Sequence, residues 1–254
     1  MYGWRGKIGF VSPAICDTGL LEYYRLLPEG ILITPVNLHV QNLVDGDFQA
    51  ALDKLEEAVK ILKYEDVQII IIAATPPMIR RGFEADKEIV KKVEMLTGLP
   101  TSAGPTIEVE ALRSLGLKRI ALVSPFTEAL NKHLKSYLEY WGFEVVVMKG
   151  LNITKNADLT KQPFHKSYAL AKEAFLEAKS DVDGIFIRCP RWPVVRNIAP
   201  LERDLGVPVV TTAQAFVWKA LTMLNVREVQ PGYGKLFAGF AQCPEVRAYP
   251  FHEA

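Results

Sequence analysis

Asp183-Gly184-Ile185-Phe186-Ile187-Arg188-Cys189-Pro190-Arg191 is a short apolar run opened by Asp-Gly and closed at a proline. Such a run reads as a strand buried on both faces of a parallel sheet. The residue at its carboxyl end looks into the crevice where open α/β sheets bind ligands. Cys189 holds that place. The stretch Val67 to Arg81 repeats the design: Ile69 to Ile72, then Ala73, Ala74 and Thr75, then a proline pair and two arginines. Where the later copy has Cys189, the earlier one has Ala74.

Working outward, strand and helix patterns alternate. Lys7 to Val11 and Ile31 to Thr34 read as strands, with a weakly helical stretch around Leu20 to Leu27 between them. Phe48 to Lys63 carries Leu52, Leu55, Val59 and Leu62 at helical spacing, which predicts one amphipathic helix. Val67 to Ala73 is the third strand, Glu84 to Leu96 a helix, and a short fourth strand lies near Thr101. The pattern then restarts. Glu108 to Leu115 reads as helix, Arg119 to Val123 as strand, Glu128 to Trp141 as helix closed by Gly142, and Glu144 to Met148 as strand. Lys166 to Lys179 is a helix, Gly184 to Arg188 the central strand, Val207 to Val210 the last strand and Ala213 to Leu224 a helix.

Each half opens with a strand running into Ser-Pro, at Ser12-Pro13 and Ser124-Pro125. The fold class is therefore α/β: two pseudo-symmetric, open parallel-sheet units of Rossmann or flavodoxin type, duplicated within the chain and facing a shared cleft. Residues 1–115 and 217–254 are assigned to the first unit, with Pro231 to Phe237 returning to it. Residues 116–216 form the second. No long Gly/Ser linker separates the halves, so they are expected to pack as one body.

Composition narrows the function classes. At 254 residues the chain can bury a full core, and 30 basic against 29 acidic residues leave a net charge of +1. That balance gives no reason to expect a nucleic-acid or membrane partner. No run is long enough to span a bilayer, and Met1 to Phe10 lacks the apolar segment of a signal peptide. Cys16, Cys189 and Cys243 are odd in number and widely spaced, which suits reduced thiols in the cytoplasm. His39, His133, His165 and His252 form no pair at ligand spacing, so no metal site is expected. The oligomeric state stays open, a homo-oligomer included.

Several blocks in fixed order carry a resemblance. They are Thr97-Gly98-Leu99-Pro100, Ala111-Leu112-Arg113-Ser114-Leu115-Gly116 before Arg119-Ile120-Ala121-Leu122, Asp183-Gly184-Ile185 before Cys189, Leu205-Gly206-Val207-Pro208-Val209-Val210, and Pro231-Gly232-Tyr233-Gly234-Lys235-Leu236-Phe237. Through them the chain resembles the aspartate/glutamate racemase superfamily, in the branch of arylmalonate decarboxylase and maleate cis-trans isomerase. The resemblance implies a site between the halves that needs no metal or organic cofactor and takes a small mono- or dicarboxylate. It also implies that Cys189 is the second-half catalytic thiol and that Ala74 replaces the first. Two-base racemisation, or isomerisation begun by a first-half thiolate, then lacks its group. The single-cysteine arrangement matches arylmalonate decarboxylase, where one carboxylate leaves from an apolar pocket and the thiol protonates the resulting carbanion.

The same resemblance nominates substrate-binding positions. Pro13 and Cys16 lie in the loop after the first strand, where relatives often carry a substrate-binding Asn, and Cys16 otherwise reads as a packing or incidental cysteine. Thr75 matches a hydroxyl donor, and otherwise reads as a turn cap. Pro76, Phe126 and Pro190 stand where the decarboxylase has a serine, a tyrosine and a glycine, and each change removes a donor. Ser124 and Asn156 are candidate replacements, or ordinary turn residues. Arg188 and Arg191 flank Cys189, and Arg80 and Arg81 follow the equivalent loop. These either grip a more anionic substrate and draw Cys189 toward its thiolate, or face solvent and nearby acids. Gly232 to Lys235 lacks the spacing of a phosphate loop. Cys243 reads as structural or unreactive.

The leading expectation is a cofactor-independent decarboxylase, or related carbon-acid enzyme, with Cys189 as its single proton donor. The alternatives are a maleate-type isomerase or racemase-like enzyme that has replaced its first cysteine, and a non-catalytic carboxylate-binding protein on the same scaffold.

Overall fold

The computed structural model describes residues 2–179 and 181–240. Cys243 and His252 lie outside them. The first sheet contains β1 (Gly6–Ser12), β2 (Ile31–Asn37), β3 (Ile69–Ile72) and β4 (Thr101–Ala103), in the order β2-β1-β3-β4. The second contains β5 (Arg119–Ser124), β6 (Glu144–Gly150), β7 (Gly184–Ile187) and β8 (Val209–Thr211), in the order β6-β5-β7-β8. Every pairing is parallel, with Ile8 opposite Ile69 in one sheet and Ile120 opposite Gly184 in the other. The identical strand order makes the internal duplication visible in three dimensions.

The central strands explain themselves. All four isoleucines of β3 and all four residues of β7 are buried, as strands covered by helices on both faces must be. In each sheet the chain order reverses beside the first strand, between β1 and β3 and between β5 and β7. Crevices open at the carboxyl ends of such strands. These ends carry Pro13 to Asp17, Ala73 to Pro76, Ser124 to Phe126, and Arg188 to Arg191.

The halves interlock through their loops and one helix. Glu22, on helix Thr18–Leu26, accepts the backbone N–H groups of Val194 (2.9 Å) and Val195 (2.7 Å). After β8, helix Thr212–Met223 starts with a capping box between Thr211 and Gln214 and packs on helix Gly104–Ser114. It sets the Phe216 ring 6.0 Å from Phe10 and 6.5 Å from Tyr23, and Lys219 2.7 Å from Glu110.

Four local expectations are corrected. The helix expected over Phe48 to Lys63 is two helices, Asp45–Asp53 and Leu55–Leu62, because the Lys54 N–H turns back to the Ala51 carbonyl at 3.2 Å. Thr75–Arg81, read as a loop, is a short helix whose prolines occupy its first turn, where their missing N–H groups are harmless. Helices Asn156–Leu159 and Ile198–Leu205 were not anticipated. The segment containing Tyr233 and Lys235 rests on the second half instead of returning to the first. Glu202 accepts the Lys235 N–H at 3.0 Å, and Gly234 abuts Ile198 so closely that a Cβ would collide with it.

Candidate active site

Cys189 lies two residues beyond the end of β7 and has φ +93°, a left-handed backbone that a residue with a side chain adopts only under constraint. Its N–H donates to Thr212 Oγ1 at 3.4 Å, and the Trp192 N–H donates to its carbonyl at 3.2 Å. Its side chain is only 5% exposed, yet it lines a cavity together with Ala73, Thr75, Pro76, Phe126 and Phe216. Burial pushes the thiol up to about 11, outweighing the N–H groups of Arg191 and Trp192 and the guanidinium groups of Arg191 and Arg188. The flanking arginines therefore do not produce the thiolate expected of them. At neutral pH the sulfur carries its proton.

The same cavity holds a buried ion pair that sequence reasoning missed. Glu108, on helix Gly104–Ser114 beside the first sheet, is 1% exposed, and Arg188, at the end of β7, is 2% exposed. Arg188 Nε donates to Glu108 Oε2 at 3.1 Å and Nη2 donates to the same oxygen. The other carboxylate oxygen, Oε1, accepts the hydroxyls of Thr75 (3.4 Å) and Thr212 (3.3 Å). Burial pushes the Glu108 carboxyl above the ordinary carboxylate range, against the pull of Arg188 and the hydroxyls of Thr212 and Thr75. Gly104 permits this arrangement, because a Cβ there would overlap Thr75 Oγ1. Tyr23 is buried within electrostatic reach of Cys16, Cys189 and Glu108, and burial first, then those groups, keeps it a neutral phenol.

The signal for Glu108 was in the sequence. Ala111, Leu112 and Leu115 follow it at i+3, i+4 and i+7, which sets an acid on the apolar stripe of its helix. An acid there needs a buried cation, and Arg188 ends the most buried strand.

The remaining expected positions are dispersed. Thr75, Pro76, Phe126 and Cys189 meet in the cavity just described. Asn156 and Arg191 line a second cleft of about 400 Å3, with Ala14, His39 and Lys155. There Arg191 pairs with Asp17 (Nη2 to Oδ2, 2.7 Å) and donates to Asn156 Oδ1 at 3.2 Å, joining the Cys189 loop to the first half. The Asn156 side-chain amide is spent on the Val40 carbonyl at 3.0 Å. Ser124 donates to Asn131 Oδ1 at 2.5 Å and accepts the Phe126 N–H at 3.0 Å, which makes it a turn brace.

In the first loop, the Pro13 carbonyl accepts the Val40 N–H (2.8 Å) and the Cys16 N–H donates to Asn37 (3.2 Å). Burial and then Asp17 push the Cys16 thiol up to about 11. Neither Pro13 nor Cys16 lines the Cys189 cavity. Arg80 pairs with Asp45 at 2.6 Å on the surface. Among the described residues, no three His, Cys, Asp or Glu side chains gather as metal ligands would, and no helix is long and apolar enough to cross a membrane.

The cavity beside Cys189 measures about 20 Å3. That is room for about one water, so anything larger enters only when the surrounding residues move apart.

Comparison with known proteins places this geometry. The chain is 26% identical over 231 residues to arylmalonate decarboxylase of Bordetella bronchiseptica, covering 91% of this chain and 95% of that protein. It is 32% identical over 129 residues, half of each chain, to maleate isomerase of Nocardia farcinica. A liganded double mutant of arylmalonate decarboxylase superposes with a TM-score of 0.85 at 24% identity, over 91% of this chain and 98% of that one. The family model described as arylmalonate decarboxylase matches residues 9–237, and the chain belongs to that family.

Proposed function

We propose that the protein is a cofactor-independent decarboxylase of small, substituted malonate-type acids, with Cys189 as its single proton donor. The observation that carries this reading is the buried Cys189 thiol at the cavity wall, with no second thiol among the described residues that line it. Ala73 and Ala74 follow β3 where a first-half nucleophile would have to stand. A sulfur that keeps its proton suits an acid better than a nucleophile.

The chemistry balances on these residues. The bond from the α-carbon to the departing carboxylate breaks and carbon dioxide leaves. The electron pair enters the α-carbon and the retained carboxylate as an enediolate. The Cys189 Sγ–H bond then breaks, its proton adds to the α-carbon, and the thiolate recovers a proton from solvent. Pro76, Phe126, Pro190 and Phe216 give the departing carboxylate an apolar wall, where its charge is poorly solvated and its loss is favoured.

Glu108 favours a second reading. It brings an ionisable carboxyl group from the first half into the same cavity, so an isomerase or racemase-like enzyme using Glu108 in place of the missing thiol is the alternative. Incubation with substituted malonates and with maleate in deuterated water separates the two. Carbon dioxide release with deuterium on one face supports the decarboxylase. Fumarate, or label on both faces, supports the alternative. Absence of turnover on every acid would sink both and leave a binding protein.

A further inference from the structure

The Glu108–Arg188 pair is unequal. Every hydrogen-bonding edge of the carboxylate is occupied, whereas Nη1 of Arg188 has no hydrogen-bond partner although it is buried. A guanidinium offers five N–H groups, and Glu108 takes one from Nε and one from Nη2. Three remain, two on Nη1 and one on Nη2, along the edge that matches the two oxygens of a carboxylate. Buried charged donors are rarely left idle, and Arg188 lines the cavity of Cys189. Among the described residues, Arg188 and Glu108 are the only charged ones in that lining.

We propose that Arg188 determines which ligands the site accepts, its free edge of Nη1 and Nη2 receiving one carboxylate of the substrate end-on. Glu108 fixes the guanidinium so that this edge points into the cavity. For its chemistry the inference rests on the decarboxylation proposed above. Within that reaction the carboxylate on Arg188 is the retained one, because negative charge grows there as the bond breaks and a cation stabilises it. A cation on the departing group would oppose its loss as neutral carbon dioxide. The lining has no cation for a second carboxylate, so the site takes one anionic group at Arg188 and leaves the other against proline and phenylalanine.

The test measures binding apart from turnover. In the Cys189→Ala protein, calorimetric titration with malonate should show saturable binding, and neutral malonamide should bind at least about 10-fold more weakly. Adding Glu108→Gln keeps an acceptor for Arg188 and removes a negative charge beside the ligand, so malonate should bind at least as tightly. Adding Glu108→Gln and Arg188→Gln together removes both buried charges without leaving either alone, and malonate should weaken about 10- to 100-fold while the melting transition stays cooperative.

The inference is overturned if malonate does not bind, if malonamide binds as well, or if both combinations weaken binding equally. Arg188-dependent malonate binding without turnover of any acid by the wild-type protein would sink the proposed reaction and leave this inference standing. Turnover with binding indifferent to Arg188 would do the reverse.

Discussion

Glu108 and Arg188 meet in the interior from opposite halves of the chain, with Arg188 Nε 3.1 Å from Glu108 Oε2 and the pair almost wholly excluded from solvent. One comes from a helix of the first half and the other from the end of the central strand of the second. The pair therefore joins the two halves at the cavity that Cys189 lines.

Breaking that pair on one side strands a buried charge. Glu108→Ala or Arg188→Met should each cost about 3–5 kcal/mol of folding stability. Glu108→Leu with Arg188→Met should cost much less than the sum, because neither charge is left behind. Urea denaturation of the three variants checks this, and additive losses would show that the two groups act independently.

Removing the thiol should stop the reaction without disturbing the fold. Cys189→Ala or Cys189→Ser is expected to lower turnover by about 100- to 10,000-fold, the span of a positioned acid. The melting temperature should stay within a few degrees. Full turnover in Cys189→Ala would remove the sulfur from the mechanism.

Alkaline titration should reach both the buried Cys189 thiol and the part-buried Cys16 thiol. Folding raises Cys16 and Cys189 from 9.0 to about 11, so the folded protein holds these protons more tightly than the unfolded chain. Their contribution to stability is complete below pH 9.0 and is lost as pH rises through about 11. The loss amounts to about 2–3 kcal/mol for each thiol. Denaturation across that range should therefore show a shallower decline in a Cys16→Ser, Cys189→Ser protein. Turnover that depends on the Cys189 proton should stay level through neutral pH and fall toward pH 11.

Gly104 is the narrowest point of the site's frame. Gly104→Ala forces its new methyl group against Thr75 Oγ1, so the hydroxyl must leave Glu108. A stability loss of about 1–3 kcal/mol is expected. Turnover should fall as well, because Thr75 lines the cavity. Adding Thr75→Ala, which removes the clashing oxygen, should recover part of the stability lost by Gly104→Ala; an undisturbed Gly104→Ala protein would show that the methyl and hydroxyl are not in conflict.

Alternation, Ser-Pro strand ends and the two apolar runs at Ile69 and Gly184 made the duplicated α/β fold and the place of Cys189 legible in the sequence. Local chemistry dictates these features: a run of branched residues closed by proline has few ways to be buried other than as a central strand. An acid on an apolar helical stripe signalled that Glu108 is buried, but nothing local named its partner 80 positions away. The pairing of Glu108 with Arg188, the brace from Thr212, and the turning of Ser124 and Asn156 toward protein partners emerge only when two sheets and a returning helix are packed together. The thiol's state was likewise decided by the tertiary structure. Neighbouring arginines in the sequence draw it toward a thiolate, but the burial that packing imposes disfavours the charged form more strongly, and Cys189 keeps its proton.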